Sequence, residues 1–357
     1  MKIFHCDHCG HLLFFENTAC VSCGHVVAYL PDLQVVGSLE RDDSGTWRSP
    51  LPRADASGYR LCHNYEVEDV CNWAVPADDA RLLCTACRVT RVIPNLDQPS
   101  RRAAWYRLEV AKRRLLFTLI ELGLPVTHRV DDPERGLAFD FIADADPASA
   151  PVLTGHANGV ITINIAEADD AERERRRTAL HEPYRTLLGH MRHESGHYYW
   201  DVLIAGTPHL EAFRSLFGDE RADYAAALRA HYANGAPPDW PDHFVSAYAT
   251  SHPWEDWAES WAQYLHMVDT TETAAACGLS LKPRRRDEPA ALEIPVPVSP
   301  RPAAFQELMD SWFPLTYVLN NLNRGLGHAD AYPFVLSPAA VAKLKFVDDV
   351  VGRAQGR

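Results

Sequence analysis

The sequence predicts an α+β protein: a cysteine-rich, helix-poor module over residues 1–95, then a mostly helical domain over 100–357 with a small antiparallel sheet. Three observations lead there. Eight of the nine cysteines precede residue 90, and only Cys277 lies outside that segment. Helical periodicity starts only after Pro99. Two short runs with strand patterning then separate the first helix from the later ones. A chain of 357 residues has room for two or three domains and at least one sizeable core.

Composition narrows the function classes. The chain is 46% hydrophobic and 23% charged, as in an ordinary soluble protein, with a formal net charge of −13. Nucleic-acid binders need a basic footprint, so no nucleic-acid partner is expected. The opening MKIFHCDHCGHLLFF lacks the apolar run of a signal peptide, and no stretch approaches the length of a membrane span. The expected location is therefore the cytoplasm, where paired cysteines bind metal more often than they form disulfides.

Within the first module, Cys6-x2-Cys9 and Cys20-x2-Cys23 form two knuckles ten residues apart. Brought together by a short hairpin, they offer four thiolates in tetrahedral array to one zinc; a pair of disulfides is the alternative. Cys62, Cys71 and Cys84-x2-Cys87 form a second group. Only its second half is a knuckle, so His63 could replace a cysteine, and a set of partly free buried thiols is the competing reading. Four protein ligands leave no position for substrate, so both zincs would be structural and would fold a segment short of apolar residues. Zinc ribbons often bind nucleic acid, but residues 1–99 hold 8 Lys and Arg against 13 Asp and Glu. Protein contact or scaffolding fits that balance better.

Leu108, Ala111, Leu115, Leu119 and Leu122 recur at three- and four-residue steps, a helix ending near Gly123 and Pro125. LAFDFIAD (137–144) alternates apolar and polar residues. Asn158-Gly159 before VITINI reads as a hairpin turn feeding a strand. The charged AERERRR then opens onto a helix over roughly Pro183 to Leu203. Two more helices are expected near Asp219–Tyr232 and Trp254–Val268. Six prolines between Pro283 and Pro302 read as an extended linker. A last helical pattern runs from Phe305 to Leu322, with Pro314 expected to kink or interrupt it.

The chemistry centres on His193-Glu194-Ser195-Gly196-His197. Residues four apart on a helix lie about 40° apart around its axis, so both imidazoles reach one metal. Glu194 beside them can take a proton from a water that zinc has acidified toward a pKa of ~7. A chance HExxH is the bland alternative in a chain with 17 histidines, but this one sits in a helical, apolar stretch. It also follows VITINI, whose edge could hold an extended peptide by strand addition. Gly196 costs a helix interior about 1 kcal/mol relative to alanine, which points to close packing behind the metal.

A catalytic zinc needs a third protein ligand and an open position. HPWEDWAESWAQYLH offers Glu255 and Glu259, four apart on one face. One can bind the ion while the other accepts a hydrogen bond from a ligand histidine. Asp256 points about 100° away and is the weaker candidate. A solvated face is the usual meaning of such a pair, but Trp254, Trp257, Trp261 and Leu265 predict a buried helix, where carboxylates need partners. His190, His266 and Cys277 read as structural.

Tyr248-Ala249-x-x-His252-Pro253-x-Glu255-Asp256-x-Ala258-Glu259, placed after HExxH, resembles the gluzincin peptidases, particularly the Pro-Pro endopeptidase type. That resemblance implies Glu255 as third ligand, Glu259 behind a histidine and Tyr248 as oxyanion stabiliser; a tyrosine that merely packs is the alternative for Tyr248. The whole chain is similar to a bacterial family of zinc-binding metallopeptidases with an N-terminal zinc ribbon. The similarity runs from the cysteine clusters through CNWAVPADD, GHMRHESGHYYWD, FGDERADY and HPWEDWAES to LNRGLGHADAYPFVLSP. It implies a double zinc-ribbon module ahead of a gluzincin-like domain, one catalytic and two structural zincs, and a peptide or protein substrate. Arg324 and Tyr332, in the last of those stretches, are candidates for substrate contact or for a surface turn. Two rivals remain: a zinc-stapled binding scaffold without turnover, and a DNA-linked protease of the SprT kind. The latter typically has a histidine third ligand and a C-terminal ribbon, and the acidic balance disfavours it.

Overall fold

The computed structural model describes residues 2–144, 152–179, 186–281, 305–331 and 335–354. The chain forms two compact units. One comprises Ile3–Glu121 and Pro125–Arg173, the other Met1–Lys2, Leu122–Leu124 and Glu174–Arg357. The proline-rich segment 283–302 and Tyr332 lie outside the described residues.

In the first unit, β1 (Phe4–His5) and β2 (Leu12–Leu13) form a hairpin around the first knuckle. An antiparallel sheet follows: β3 (Val26–Leu30), β4 (Val35–Arg41), β5 (Trp47–Arg48), β6 (Tyr59–Leu61) and, beyond the short helix α1 (His63–Glu66), β7 (Ala74–Pro76). The one-turn helix α2 (Thr85–Arg88) leads to β8 (Thr90–Val92) and the long α3 (Pro99–Glu121). Contrary to expectation, the ribbon has a small apolar core of its own, Ala28, Leu30, Leu39, Tyr59 and Ala74, and α3 adds to its packing elsewhere. Phe117 packs edge-on to Phe15 at 5.3 Å and to Tyr29 at 5.8 Å, and Tyr29 lies 4.2 Å from Trp73. Gly123 ends the helix at φ +63°, as its position predicts.

The second sheet joins β8 to β9 (Ala138–Ile142), β10 (Gly155–Ala157) and β11 (Val160–Asn164) in the order β10-β11-β9-β8. Asn158 and Gly159 both have positive φ, 49° and 79°, and close the expected hairpin. Two details differ from expectation. The sheet is mixed rather than antiparallel, because β9 runs parallel to both of its neighbours. Parallel pairing needs a long crossover, and α3 provides it between β8 and β9. VITINI is also not an edge: β11 is hydrogen-bonded on both sides, so it has no free edge to take a peptide by strand addition. The charged run expected to lead into the motif helix is itself helical, α4 (Asp170–Ala179).

The second unit is all helical: α5 (Leu187–Leu203), α6 (Leu210–Phe217), α7 (Tyr224–Asn234), α8 (Pro253–Ala276), α9 (Phe305–Gly325) and α10 (Pro338–Ala354). Buried α8 is the hub and packs against α5, α6, α9 and α10. Trp257, Trp261 and Leu265 are fully buried on it, as the tryptophan spacing predicts, and Tyr199 of α5 stacks on Trp261 at 4.9 Å. Capping sets the boundaries. Thr186 accepts from Gly189 N at 2.9 Å to start α5, and Asp223 accepts from Ala226 N at 2.9 Å to start α7. The latter places the start of α7 five residues after Asp219, because Asp219 and Glu220 are engaged by Arg221 and Arg214. Pro314 does not interrupt α9. Leu308, Trp312 and Leu315 are buried on it, and that packing offsets the ~3 kcal/mol an interior proline costs.

Candidate functional site

The eight cysteines of the first unit gather into two clusters, Cys6-Cys9-Cys20-Cys23 and Cys62-Cys71-Cys84-Cys87. Sulfur separations of 3.6 Å (Cys6–Cys23 and Cys9–Cys20) and 3.7 Å (Cys71–Cys84) discriminate between the readings. Zinc–thiolate bonds of ~2.3 Å in a tetrahedron place sulfurs about 3.8 Å apart, whereas a disulfide holds them at ~2.05 Å. The separations fit structural zinc. Burial pushes the Cys84 thiol well up while hydrogen bonds from Cys71 and Cys84 hold Cys62 down, so without a cation the four buried thiols cannot all ionise. Amides support the set: Trp73 N donates to Cys71 Sγ and Cys84 N to Cys62 Sγ, each at 3.3 Å. With four cysteines gathered, His63 is not needed as a ligand.

In the second unit the site is built at the contact of α5 with α8. A Cβ on Gly196 would lie 2.9 Å from the Cα of Ala258, so only glycine lets the two helices approach this closely. Two indoles stitch the contact: Trp257 Nε1 donates to Gly196 O at 2.8 Å and Trp261 Nε1 to Ser195 Oγ at 3.1 Å. The approach brings His193 and His197 of α5 to Glu255 on the first turn of α8. Glu255 Oε2 lies 3.0 Å from His193 Nε2 and 3.6 Å from His197 Nε2. Donors ~2.1 Å from a tetrahedral zinc sit about 3.4 Å apart, so these spacings suit one ion.

The protonation pattern agrees. Glu259 Oε1 takes a hydrogen bond of 2.6 Å from His193 Nδ1, and its Oε2 takes one of 2.6 Å from Ser246 Oγ. A carboxylate can only accept, so Nδ1 carries a proton and Nε2 is the nitrogen turned toward Glu255 and His197. Glu255 is 1% exposed and its Oε2 has no hydrogen-bond partner, a buried anionic oxygen aimed at two imidazole nitrogens. Burial opposes charge on both members. Even so, Glu255 and Glu259 hold His193 far above the usual histidine range, and the imidazoles of His193 and His197 hold Glu255 well below the usual carboxylate range. The donor set thus selects a positive charge at its centre, and a divalent cation fits it.

Around this trio, Glu194 is buried on α5. Tyr248, in a single 3-10 turn over Tyr248–Thr250 packed against α8, has its ring 5.9 Å from that of His193. Burial, with Glu255 nearby, pushes its phenol far up, so the hydroxyl remains a donor. Two partners were not anticipated from sequence. Ser246 holds Glu259, and Tyr224 donates to Glu255 Oε1 at 2.5 Å. Tyr224 lies inside FGDERADY, but nothing local to that stretch announces a contact 31 residues away.

The remaining candidates have other places. Asp256 turns away from the trio to Lys343 Nζ at 2.6 Å. His266 contacts buried Arg192, which also pairs with Asp269 at 2.6 Å. Cys277 is exposed at the C-terminus of α8, and Arg324 pairs with Asp330 at 2.7 Å on the surface.

Residues 101–350 match the family described as "putative zinc-binding metallo-peptidase", and residues 3–98 match a zinc-ribbon domain family. The chain belongs to this metallo-peptidase family. It is also 45% identical over 352 residues to uncharacterized proteins of Mycobacterium bovis and Mycobacterium tuberculosis, covering 98% of this chain and 95% of theirs. No solved structure matches it. The family description agrees with the two cysteine clusters and with the His193-His197-Glu255 trio as candidate metal groups. Among the described residues, no helix is long and apolar enough to cross a membrane.

Proposed function

We propose that this metallo-peptidase family member hydrolyses peptide bonds with one zinc held by His193, His197 and Glu255. Two structural zincs would be held by Cys6, Cys9, Cys20, Cys23 and by Cys62, Cys71, Cys84, Cys87. In this reading a zinc-ribbon module over 1–95 precedes a catalytic domain over 100–357. The protein works in the cytoplasm, where its thiols stay reduced, on peptide or protein substrates and not on nucleic acid. The observation that carries it is the buried, partnerless Oε2 of Glu255, facing two imidazole nitrogens at zinc-ligand spacing.

When bound, zinc polarises the scissile carbonyl and acidifies a water toward a pKa of ~7. Glu194, adjacent to His193 on α5, takes the proton from the attacking water and returns it to the leaving amine. Tyr248 donates a hydrogen bond to the carbonyl oxygen as charge develops there, and its strongly raised pKa keeps the proton in place to do so. Glu259 fixes the tautomer and ring orientation of His193.

Glu194→Gln tests the assignment. It should keep its zinc and lose hydrolysis by about 10²–10⁴-fold in a screen of peptide libraries and denatured proteins, with zinc chelation as the control. Undiminished turnover in the variant contradicts the role of Glu194. Complete inactivity of the zinc-loaded wild type across the screen favours a binding scaffold instead.

A further inference from the structure

We propose that Tyr224 is a positioning residue for Glu255: its hydroxyl occupies Oε1, so the carboxylate presents only Oε2 to the metal. The proposal rests on the ligand assignment made above and adds what controls the ligand's geometry. A free carboxylate on zinc can bind through one oxygen or two. Two-oxygen binding fills the position that water and substrate need. Tyr224 Oη donates to Glu255 Oε1 at 2.5 Å, within the ~2.5–2.7 Å range of charge-assisted O–H···O⁻ bonds. That contact leaves Oε2 as the oxygen facing His193 and His197.

The tyrosine is itself held by elements that also set the start of α8. It is the first residue of α7, right after the capping Asp223. Its ring packs edge-on to His252 at 5.1 Å, and His252 caps α8 by accepting from Trp254 N at Nδ1, 3.1 Å. An acceptor Nδ1 puts the ring proton on Nε2, which donates to Ala222 O at 3.1 Å. One histidine thus ties the backbone before Tyr224 to the N-terminus of the helix that carries Glu255. The phenol is fixed relative to the carboxylate from both sides. It does for Glu255 what Glu259 does for His193.

The test uses the full-length chain with Tyr224→Phe, which removes one oxygen and keeps the ring. Zinc affinity of the His193-His197-Glu255 site, measured by chelator competition, should fall about 10–100-fold, as for loss of outer partners elsewhere. The two cysteine sites should stay loaded and report an intact fold. With cobalt in place of zinc, the visible absorption of the histidine site should weaken as Oε1 joins the coordination sphere. Tyr248→Phe should change neither affinity nor spectrum while lowering turnover. Wild-type affinity and an unaltered cobalt spectrum in Tyr224→Phe overturn the proposal. Glu255→Ala, run in parallel, separates the causes. If it loses the metal while Tyr224→Phe does not, only the Tyr224 role falls. If it binds as wild type, the ligand set itself falls and takes the Tyr224 role with it.

Discussion

Replacing Gly196 with alanine probes the contact that brings His193 and His197 to Glu255. The added Cβ would lie 2.9 Å from the Cα of Ala258 and 3.2 Å from Trp261 Cδ1. The nearest obstacle is backbone, so no rotamer change relieves it, and α5 must shift from α8 by a few tenths of an ångström. Two terms compete. Alanine gains about 1 kcal/mol over glycine in a helix interior. Overpacking costs about 1–3 kcal/mol, and strain on the 2.8 Å bond from Trp257 Nε1 to Gly196 O costs up to about 1 kcal/mol more. The net is a destabilisation of about 0–3 kcal/mol, a fall in melting temperature of up to about 12 °C for a unit of this size. At an uncrowded helix position the same change would stabilise, so the sign alone discriminates. Thermal scans of the zinc-loaded protein followed by circular dichroism read the stability. Zinc affinity should fall as well, because His193 and Glu255 face each other across that contact. A raised melting temperature, or lower stability with unaltered zinc affinity, refutes the claim that this glycine sets the ligand spacing.

Metal analysis of the purified protein should give three zincs per chain, and Cys84→Ser should reduce the count to two and destabilise the first unit. Lys343→Met leaves Asp256, 1% exposed and pushed up to about 7 by burial, without its 2.6 Å partner. It should lower stability, read as a lower urea midpoint, by less than the ~3–5 kcal/mol of an uncompensated buried charge, because Asp256 can take up a proton instead. Adding Asp256→Leu should recover most of that loss, and a double variant as unstable as the single would show that the pair matters for something other than charge.

Local chemistry made much of this molecule readable in advance. Asn158-Gly159 can only be a turn with two left-handed residues, the cysteine knuckles can gather without knowledge of the fold, and i,i+4 histidines share a helix face wherever the helix lies. The candidate metal trio needed one non-local guess, that the helix of HPWEDWAES meets the motif helix, and the same-face Glu255 and Glu259 with the tryptophans of α8 suggested it. What stayed hidden is long-range or depends on a single hydroxyl. The parallel pairing of β8 with β9 follows from a crossover through α3, and the parallel pairing of β11 with β9 is reported by no residue of VITINI. Tyr224 and Ser246 each act through one oxygen on a residue far along the chain, and neither belongs to a periodic pattern. Asp256 finds Lys343 87 residues away.

The first two turns of α8 show how the site tolerates its own charge. Glu255, Asp256 and Glu259 place three carboxylates within five residues, all in a buried segment where an unpaired anion is expensive. Asp256 is answered by Lys343 from α10, whereas Glu259 and Glu255 share His193, through Nδ1 and Nε2, and Glu255 also faces His197. The ~100° step between successive helix residues makes this possible, since Asp256 points to α10 while Glu255 and Glu259 share the face toward α5. The charge balance at the His193-His197-Glu255 centre is then set by Glu255, Glu259 and the two imidazoles, with Glu255 and Glu259 holding positive charge on His193 in the absence of a cation.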